Sequence, residues 1–326
     1  MKKILEPNIQ WLRQFVNQGT PTSKLLKQQY DRLRWLRSRV EKKDSGSNYV
    51  IFWSGTQTEN RTGIYLNEGC DLPAVFACVP MIKKVLNGTC CLYRNPKQGA
   101  FRSDLILQTL QNYPSELIKP VTQKLKLQSN YFNSDFFEPN FTVSGINGKE
   151  EFPKTVVIMT IGRDYNRTVY RHREHGFLVD PGGWWLNQSM DSVLGDLSTA
   201  KWFRENFVSL GKMSVDEFVE NFGKVVKLLQ QKTNARVLVF NHLNLDPGSL
   251  THNYQLVKNS QLVRRMEFNL ALVELSRQLD FSIIDVDRIL KKAGIGDMLD
   301  FAHFPVDLYQ PIASEVFRIL RALEVF

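Results

Sequence analysis

Five short apolar runs, separated by longer amphipathic stretches, restrict the fold more than any other feature of the chain. They are YVIFW (49–53), CCLY (90–93), TVVIMTI (155–161), ARVLVF (235–240) and FSIIDV (281–286). Each is short, apolar for most of its length and rich in β-branched or aromatic residues, so each reads as a buried strand. Helical stretches lie between several of them: SDLILQTLQNY after the second, VDEFVENFGKVVKLLQQ before the fourth, QLVRRMEFNLALVELSRQL before the fifth. YQPIASEVFRILRALEVF closes the chain. Strands without a polar face, alternating with helices, belong in a parallel sheet covered on both sides. The expected fold is a three-layer α/β/α sandwich with a five-stranded parallel sheet.

The rest of the chain is organised around that core. Residues 44–326 read as one domain, interrupted at about 113–150 by turn-rich sequence (FNSDFFEPNF, SGINGKEEF) that reads as an insertion or lid near the active edge. Residues 1–43 read as a basic helical extension. In KLLKQQYDRLRWLRSRVEKK (24–43), Leu26, Tyr30, Leu33, Leu36 and Val40 recur at spacings of three and four. Lys27, Arg32, Arg34, Arg37 and Arg39 occupy the other positions. Such a helix is either solvated on the domain surface or a docking element. The net charge of +9 permits anionic partners without requiring them. No nucleic-acid motif accompanies the basic residues, so no nucleic acid is expected as a partner.

No run reaches the length of a membrane span, and the N-terminus lacks a signal core. A cytoplasmic protein is expected. Cys70, Cys78, Cys90 and Cys91 have neither disulfide-framework nor zinc spacing. Neither a metal nor an organic cofactor is expected.

Ligands of open parallel sheets bind outside the carboxyl ends of the strands. The residues that follow the five runs are therefore the candidate site. After the first come Ser54, Thr56 and Thr58; after the second, Asn95 and Gly99. After the third come Gly162, Asp164 and Asn166; after the fourth, Asn241 and His242. Asp300 and His303 follow the fifth, past a short helical segment. A carboxylate three residues before an imidazole can accept from Nδ1–H and leave Nε2 to take a proton. The segment YRHREHG, with Arg171 and Arg173, is either a solvated loop or a holder of an anionic group. Trp184 and Trp185 suit either a stacking surface or the core.

This order of residues resembles the SGNH (GDSL-like) hydrolases, which are esterases, lipases, deacetylases and some acyltransferases with a flavodoxin-like sheet. The Asp300-x-x-His303 block and its closing helix match best. NPKQGAFRSDLILQTL is similar to the family's glycine loop, with Gly99 as counterpart, and VVIMTIGRDYN to its third block. The first block departs from the pattern. Strict register puts Thr56 at the nucleophile position, while Ser54 is the less hindered hydroxyl. The third block has Asp164 where an oxyanion-binding Asn is expected, which removes a donor unless Asn166 replaces it.

The resemblance implies acyl transfer. His303 would deprotonate Ser54 or Thr56, and Asp300 would orient His303. Backbone N–H groups near the nucleophile and at Gly99 would receive the oxyanion, Asp164 or Asn166 would contact the substrate, and Gly162, Arg171 and His242 would complete the oxyanion- and substrate-binding set. That substrate would be a small-molecule or glycan acyl ester, with an anionic group if Arg171 is used. An inert binding protein and an acyltransferase remain as alternatives.

Overall fold

The computed structural model describes residues 49–54, 61–67, 75, 88–93, 102–127, 131–133, 136–137, 143–145, 148–150, 154–182, 190–233, 235–244, 261–294 and 306–325. In chain order the elements begin with β1 (Tyr49–Ser54), β2 (Arg61–Leu66), β3 (Gly88–Tyr93), α1 (Ser103–Gln108), α2 (Ser115–Lys124), β4 (Val143–Gly145), β5 (Gly148–Glu150) and β6 (Lys154–Thr160). Next are α3 (Gly162–Asn166), β7 (Thr168–His172), β8 (Leu178–Val179), α4 (Met190–Leu194), α5 (Leu197–Asn206), β9 (Phe207–Lys212) and α6 (Val215–Lys232). The chain ends with β10 (Arg236–Phe240), α7 (Gln261–Leu279), β11 (Ser282–Ile284), α8 (Val286–Ala293), a 3-10 turn (Val306–Leu308) and α9 (Tyr309–Ala322).

The main sheet has the order β11-β10-β6-β2-β1-β3. Four adjacent strands, β2, β6, β10 and β11, are parallel. Their apolar residues divide strictly by face. Ile64, Val156, Ile158, Leu238 and Ile284 meet α8 and α9 on one side. Tyr65, Val157, Met159, Val237 and Val239 meet α6 and α7 on the other. That two-sided burial is why these strands carry no polar face. Burial of Val156, Val157 and Ile158 is complete, which marks β6 as the centre of the core.

The expectation of five parallel strands is corrected in two ways. The run 49–53 is a strand, but β1 lies antiparallel between β2 and β3. The parallel strand beside β6 is instead β2, in a segment that reads as polar loop because only its last residues, GIYL, are apolar. β3 points the same way as the parallel four but reaches them only through β1. Reversal of β1 follows from its short connection to β2. Parallel neighbours need a crossover of a dozen or more residues, whereas residues 55–60 suit a hairpin.

Helix boundaries have local causes. Ser214 and Glu217 form a reciprocal capping box at the start of α6, with Ser214 N–H donating to Glu217 at 2.7 Å. Asp285 caps α8 by accepting from Arg288 N–H at 3.1 Å. The stretch expected as an insertion contains α2 and the β4–β5 hairpin. Its aromatics Phe136 and Phe137 pack into the core beside the sheet. Tyr131 and Phe132 join a third cluster with α2, β7 and α5. The N-terminal extension, residues 1–43, lies outside the described residues. No helix among the described residues is long and apolar enough to cross a membrane.

A second, three-stranded sheet, β8-β7-β9, is tied to α3 by one ion pair. Arg167 donates twice to Asp180, at 2.6 and 2.7 Å, and both side chains are largely buried. Removing one member leaves the other charge in a low-dielectric site. Asp180→Ala is therefore expected to cost about 3–5 kcal/mol. Glu220→Ala, which breaks an exposed pair with Lys224, should cost under about 1 kcal/mol. Urea unfolding of both variants checks this contrast.

Candidate functional site at the carboxyl edge of the parallel strands

β6 and β10 end side by side, with Thr160 paired to Phe240. The residues beyond them, Gly162 and His242, are brought into contact. A Cβ added to Gly162 would lie 2.9 Å from His242 Nε2 and 3.1 Å from Cε1. Position 162 must therefore lack a side chain for this imidazole to sit where it does. Tyr165, one turn along α3, places its hydroxyl 3.4 Å from Nδ1 of the same ring. Asn269 of α7 grips the His242 backbone from the other side, accepting from its N–H at 3.0 Å and donating to its carbonyl at 2.5 Å.

Desolvation, then the neighbouring Arg265 guanidinium, push the His242 imidazole down to about 3. It is neutral at physiological pH. A base with so low an affinity for protons abstracts them poorly. His242 can thus donate or accept a hydrogen bond at this edge, but general base catalysis falls to another group.

Asp164 faces inward. It is 2% exposed, and its carboxylate accepts from Ser103 N–H at 2.8 Å and Ser103 Oγ–H at 2.7 Å. These bonds fasten the start of α1 to α3. Burial raises the carboxyl to about 7, against the lowering effect of the Ser103 bonds. Both bonds reach the same oxygen, Oδ1, and both are made within the protein. Asn166 is also buried, and its Oδ1 has no hydrogen-bond partner among the described residues.

Two further polar groups belong to the same edge. Asn241 donates to Asp285 at 2.8 Å and accepts from Asp287 N–H at 3.1 Å, joining the end of β10 to the start of α8. Asn67 continues the β2–β6 pairing past the strand end, donating to the Ile158 carbonyl at 2.8 Å.

Ser54 is not brought to this edge. Because β1 is reversed, Trp53 pairs with Arg61, the first residue of β2, and Thr62 pairs with Lys154, the first of β6. The backbone of Ser54 therefore lies where the parallel strands begin, a full strand length from Gly162. The sequence reading expected Ser54 at the carboxyl edge; its backbone lies at the other end of the parallel strands. Thr56, Gly99, Asp300 and His303 lie outside the described residues, as do Trp184 and Trp185.

Arg171 sits on β7 in the second sheet, its side chain exposed. His172 beside it is buried against Phe177 and Phe207 and accepts from the N–H groups of Glu174 and His175 at 3.3 and 3.2 Å. That histidine shapes a turn and is not presented to ligand. A groove of about 690 Å³ lies elsewhere, between α1 and α6, and shares no lining residue with the carboxyl edge.

Sequence reasoning missed Ser103, Tyr165 and Asn269 as organisers of the edge. GRDYN contains Tyr165 openly, but nothing in its spacing announces the contact with His242. It also missed that the segment leaving the first parallel strand is Asn67-Glu68-Gly69-Cys70-Asp71. Among the described residues, no group of three His, Cys, Asp or Glu side chains could hold a metal ion.

Comparison with known proteins adds little. No family model matches the chain, and no curated protein matches it. The chain is similar to the crystal structure of phospholipase A1 from Streptomyces albidoflavus NA297 at 14% identity, over 49% of this chain and 67% of that chain. The TM-score is 0.27, a likeness too slight to carry an argument about chemistry.

Two outcomes are expected. Gly162→Ala should destabilise the protein by about 1–3 kcal/mol, because the new methyl meets the His242 ring. Combining it with His242→Ala should cost less than the sum of the single changes, which a double-mutant cycle of urea unfolding reads directly. The second concerns pH. An ordinary aspartate titrates near 3.8 and folded Asp164 at about 7, so the folded state holds the extra proton between those values. Stability from this group is full below the lower value and is lost as pH rises through the upper one. Relative to Asp164→Asn, the wild type should therefore lose stability from about pH 4 to pH 7. His242 acts in the opposite sense in both proteins and cancels in the difference.

Proposed function

We propose that this chain is a hydrolase of ester or other acyl bonds, working at the carboxyl edge of its four parallel strands in the manner of SGNH-like enzymes. The carrying observation is the meeting of Gly162, Tyr165 and His242 at that edge. Chain order supports the reading too. The glycine-loop segment runs into Ser103, which is bonded to the third block through Asp164. Asp300 and His303 then supply the acid–base pair, with His303 as base, since His242 binds protons too weakly for that task.

The attacking group comes from the segment after β2 in this proposal, because β2, not β1, is the first parallel strand. Cys70 is the nucleophilic residue type there. It follows Asn67 by three positions, a tether of at most about 11 Å. Thiolates are intrinsically stronger nucleophiles than hydroxyls at neutral pH. Thr56 and Ser54 are the rival assignments. The acyl group belongs to a small molecule or glycan. Arg171 and Arg173, both exposed, are the residues that would hold an anionic part of it.

A specific observation favours a second reading, an inert binding protein. Asp164, which stands where an oxyanion-binding Asn is expected, is buried and accepts two bonds from Ser103 through Oδ1. Loss of one oxyanion donor costs roughly 10²–10³ in rate. Transfer to an alcohol in preference to water would mark the acyltransferase variant of the same chemistry.

The expected result is turnover of p-nitrophenyl acetate or acetylated sugars that falls at least about 10³-fold in His303→Ala. Cys70→Ala should fall comparably, while Ser54→Ala keeps its rate. Turnover indifferent to His303 would sink the assignment. No turnover, together with no labelling by fluorophosphonate or iodoacetamide, would favour the binding protein.

A further inference from the structure

The groove between α1 and α6 has the size and the lining of a binding site for a small anionic molecule. Its volume of about 690 Å³ falls within the range of small-molecule sites, roughly 300–1,000 Å³. Along α6 the lining runs from Asn221 to Gln231, about 15 Å of helix. Leu107, Leu178 and Leu228 supply an apolar part of the wall. Lys224 and Lys227 stand one turn apart on α6, both exposed. Lys224 meets Glu220 at 2.6 Å in an exposed pair of little strength. Lys227 has no acidic partner among the described residues. Asp104, the one carboxylate of the lining among the described residues, is held by Arg102 at 2.6 Å. Glu174, two residues from Gly176 of the lining, faces His175 at 3.7 Å. The groove is therefore cationic.

Its neutral polar groups narrow the ligand further. The side chains of Asn221 and Gln231 make no hydrogen bond among the described residues. Gln111 has its Oε1 engaged by the Tyr113 hydroxyl and its Nε2 free. An aliphatic chain laid against these three carboxamides would take their water and return no hydrogen bond. A polyol returns hydrogen bonds and can rest its C–H faces on the leucines. Two lysines side by side suit a doubly charged group. A phosphate monoester carries about −1.5 to −2 at neutral pH, whereas a carboxylate carries a single charge.

We propose that this groove binds a phosphorylated sugar or similar polyol phosphate, with Lys224 and Lys227 on the phosphate and Asn221, Gln231 and Gln111 on the hydroxyls. The site shares no residue with the acyl-transfer reading and stands or falls separately from it.

Isothermal titration of the full chain tests it. At least one of glucose 6-phosphate, ribose 5-phosphate and glycerol 3-phosphate should bind with a Kd of about 1 mM or tighter. Lys224→Ala/Lys227→Ala should weaken that binding at least about tenfold, and so should Asn221→Ala/Gln231→Ala. Lys201→Ala, an exposed change on α5 outside the lining, should leave it unchanged. The substituted side chains are exposed or half-buried, so every variant should keep the wild-type unfolding midpoint in urea, which shows that it folds. Failure of all three phosphates to bind overturns the proposal. Inorganic phosphate bound as tightly as the best of them would reveal an adventitious anion patch, and octanoate bound more tightly an amphiphile site; either overturns it. Affinity that both groove variants keep, or that Lys201→Ala loses equally, places the phosphates elsewhere and overturns it as well.

Discussion

The structure depends on the backbone pairing of β6 with β10 under complete burial from both faces. Their buried amides and carbonyls are satisfied by neighbouring strands, and their side chains enter two separate cores. Even numbers along β6 point to α8 and α9, odd numbers to α6 and α7. A one-residue slip would exchange the two sets everywhere at once. Register is thereby held, and with it the position of every residue that follows a strand end.

That constraint explains how the carboxyl edge acquires its geometry. Gly162 and His242 meet because Thr160 and Phe240 are paired two residues earlier. The contact leaves no room for a Cβ, so a fold-level pairing dictates a residue type at the edge. The other polar groups act as ties. Ser103 with Asp164 joins α1 to α3, and Asn241 with Asp285 joins β10 to α8. Each is a buried or half-buried polar group satisfied within the protein, as burial demands. Asp164 and His242 then titrate in opposite senses for one shared reason: burial disfavours the charged form of each.

Much of the edge was legible in the chain because apolar runs announce strands and the polar residues just beyond them announce strand ends. Gly162 and His242 are found in that way. Asp164 is found, but its two bonds from Ser103 are not legible, since no sequence pattern distinguishes a carboxylate facing a cleft from one that accepts bonds in the core. Ser54 is misplaced for a different reason. An apolar pentapeptide states that a strand exists, not which way it runs, and β1 runs backwards. The polar segment 54–62 hid β2, because its Arg-Thr-Gly opening looks like a turn.

The amino-acid sequence by itself determined that the chain builds helices around a buried sheet, since runs such as TVVIMTI leave no polar face for water. It also determined which segments alternate and where the polar residues follow them. Only the tertiary structure decided strand direction, the insertion of β1 between β2 and β3, and which side chains meet across the edge. Those are contacts between residues tens of positions apart. Local pattern records the environment of a residue but not the identity of its distant neighbour, so Tyr165 and His242 become partners only when two strand ends are laid side by side.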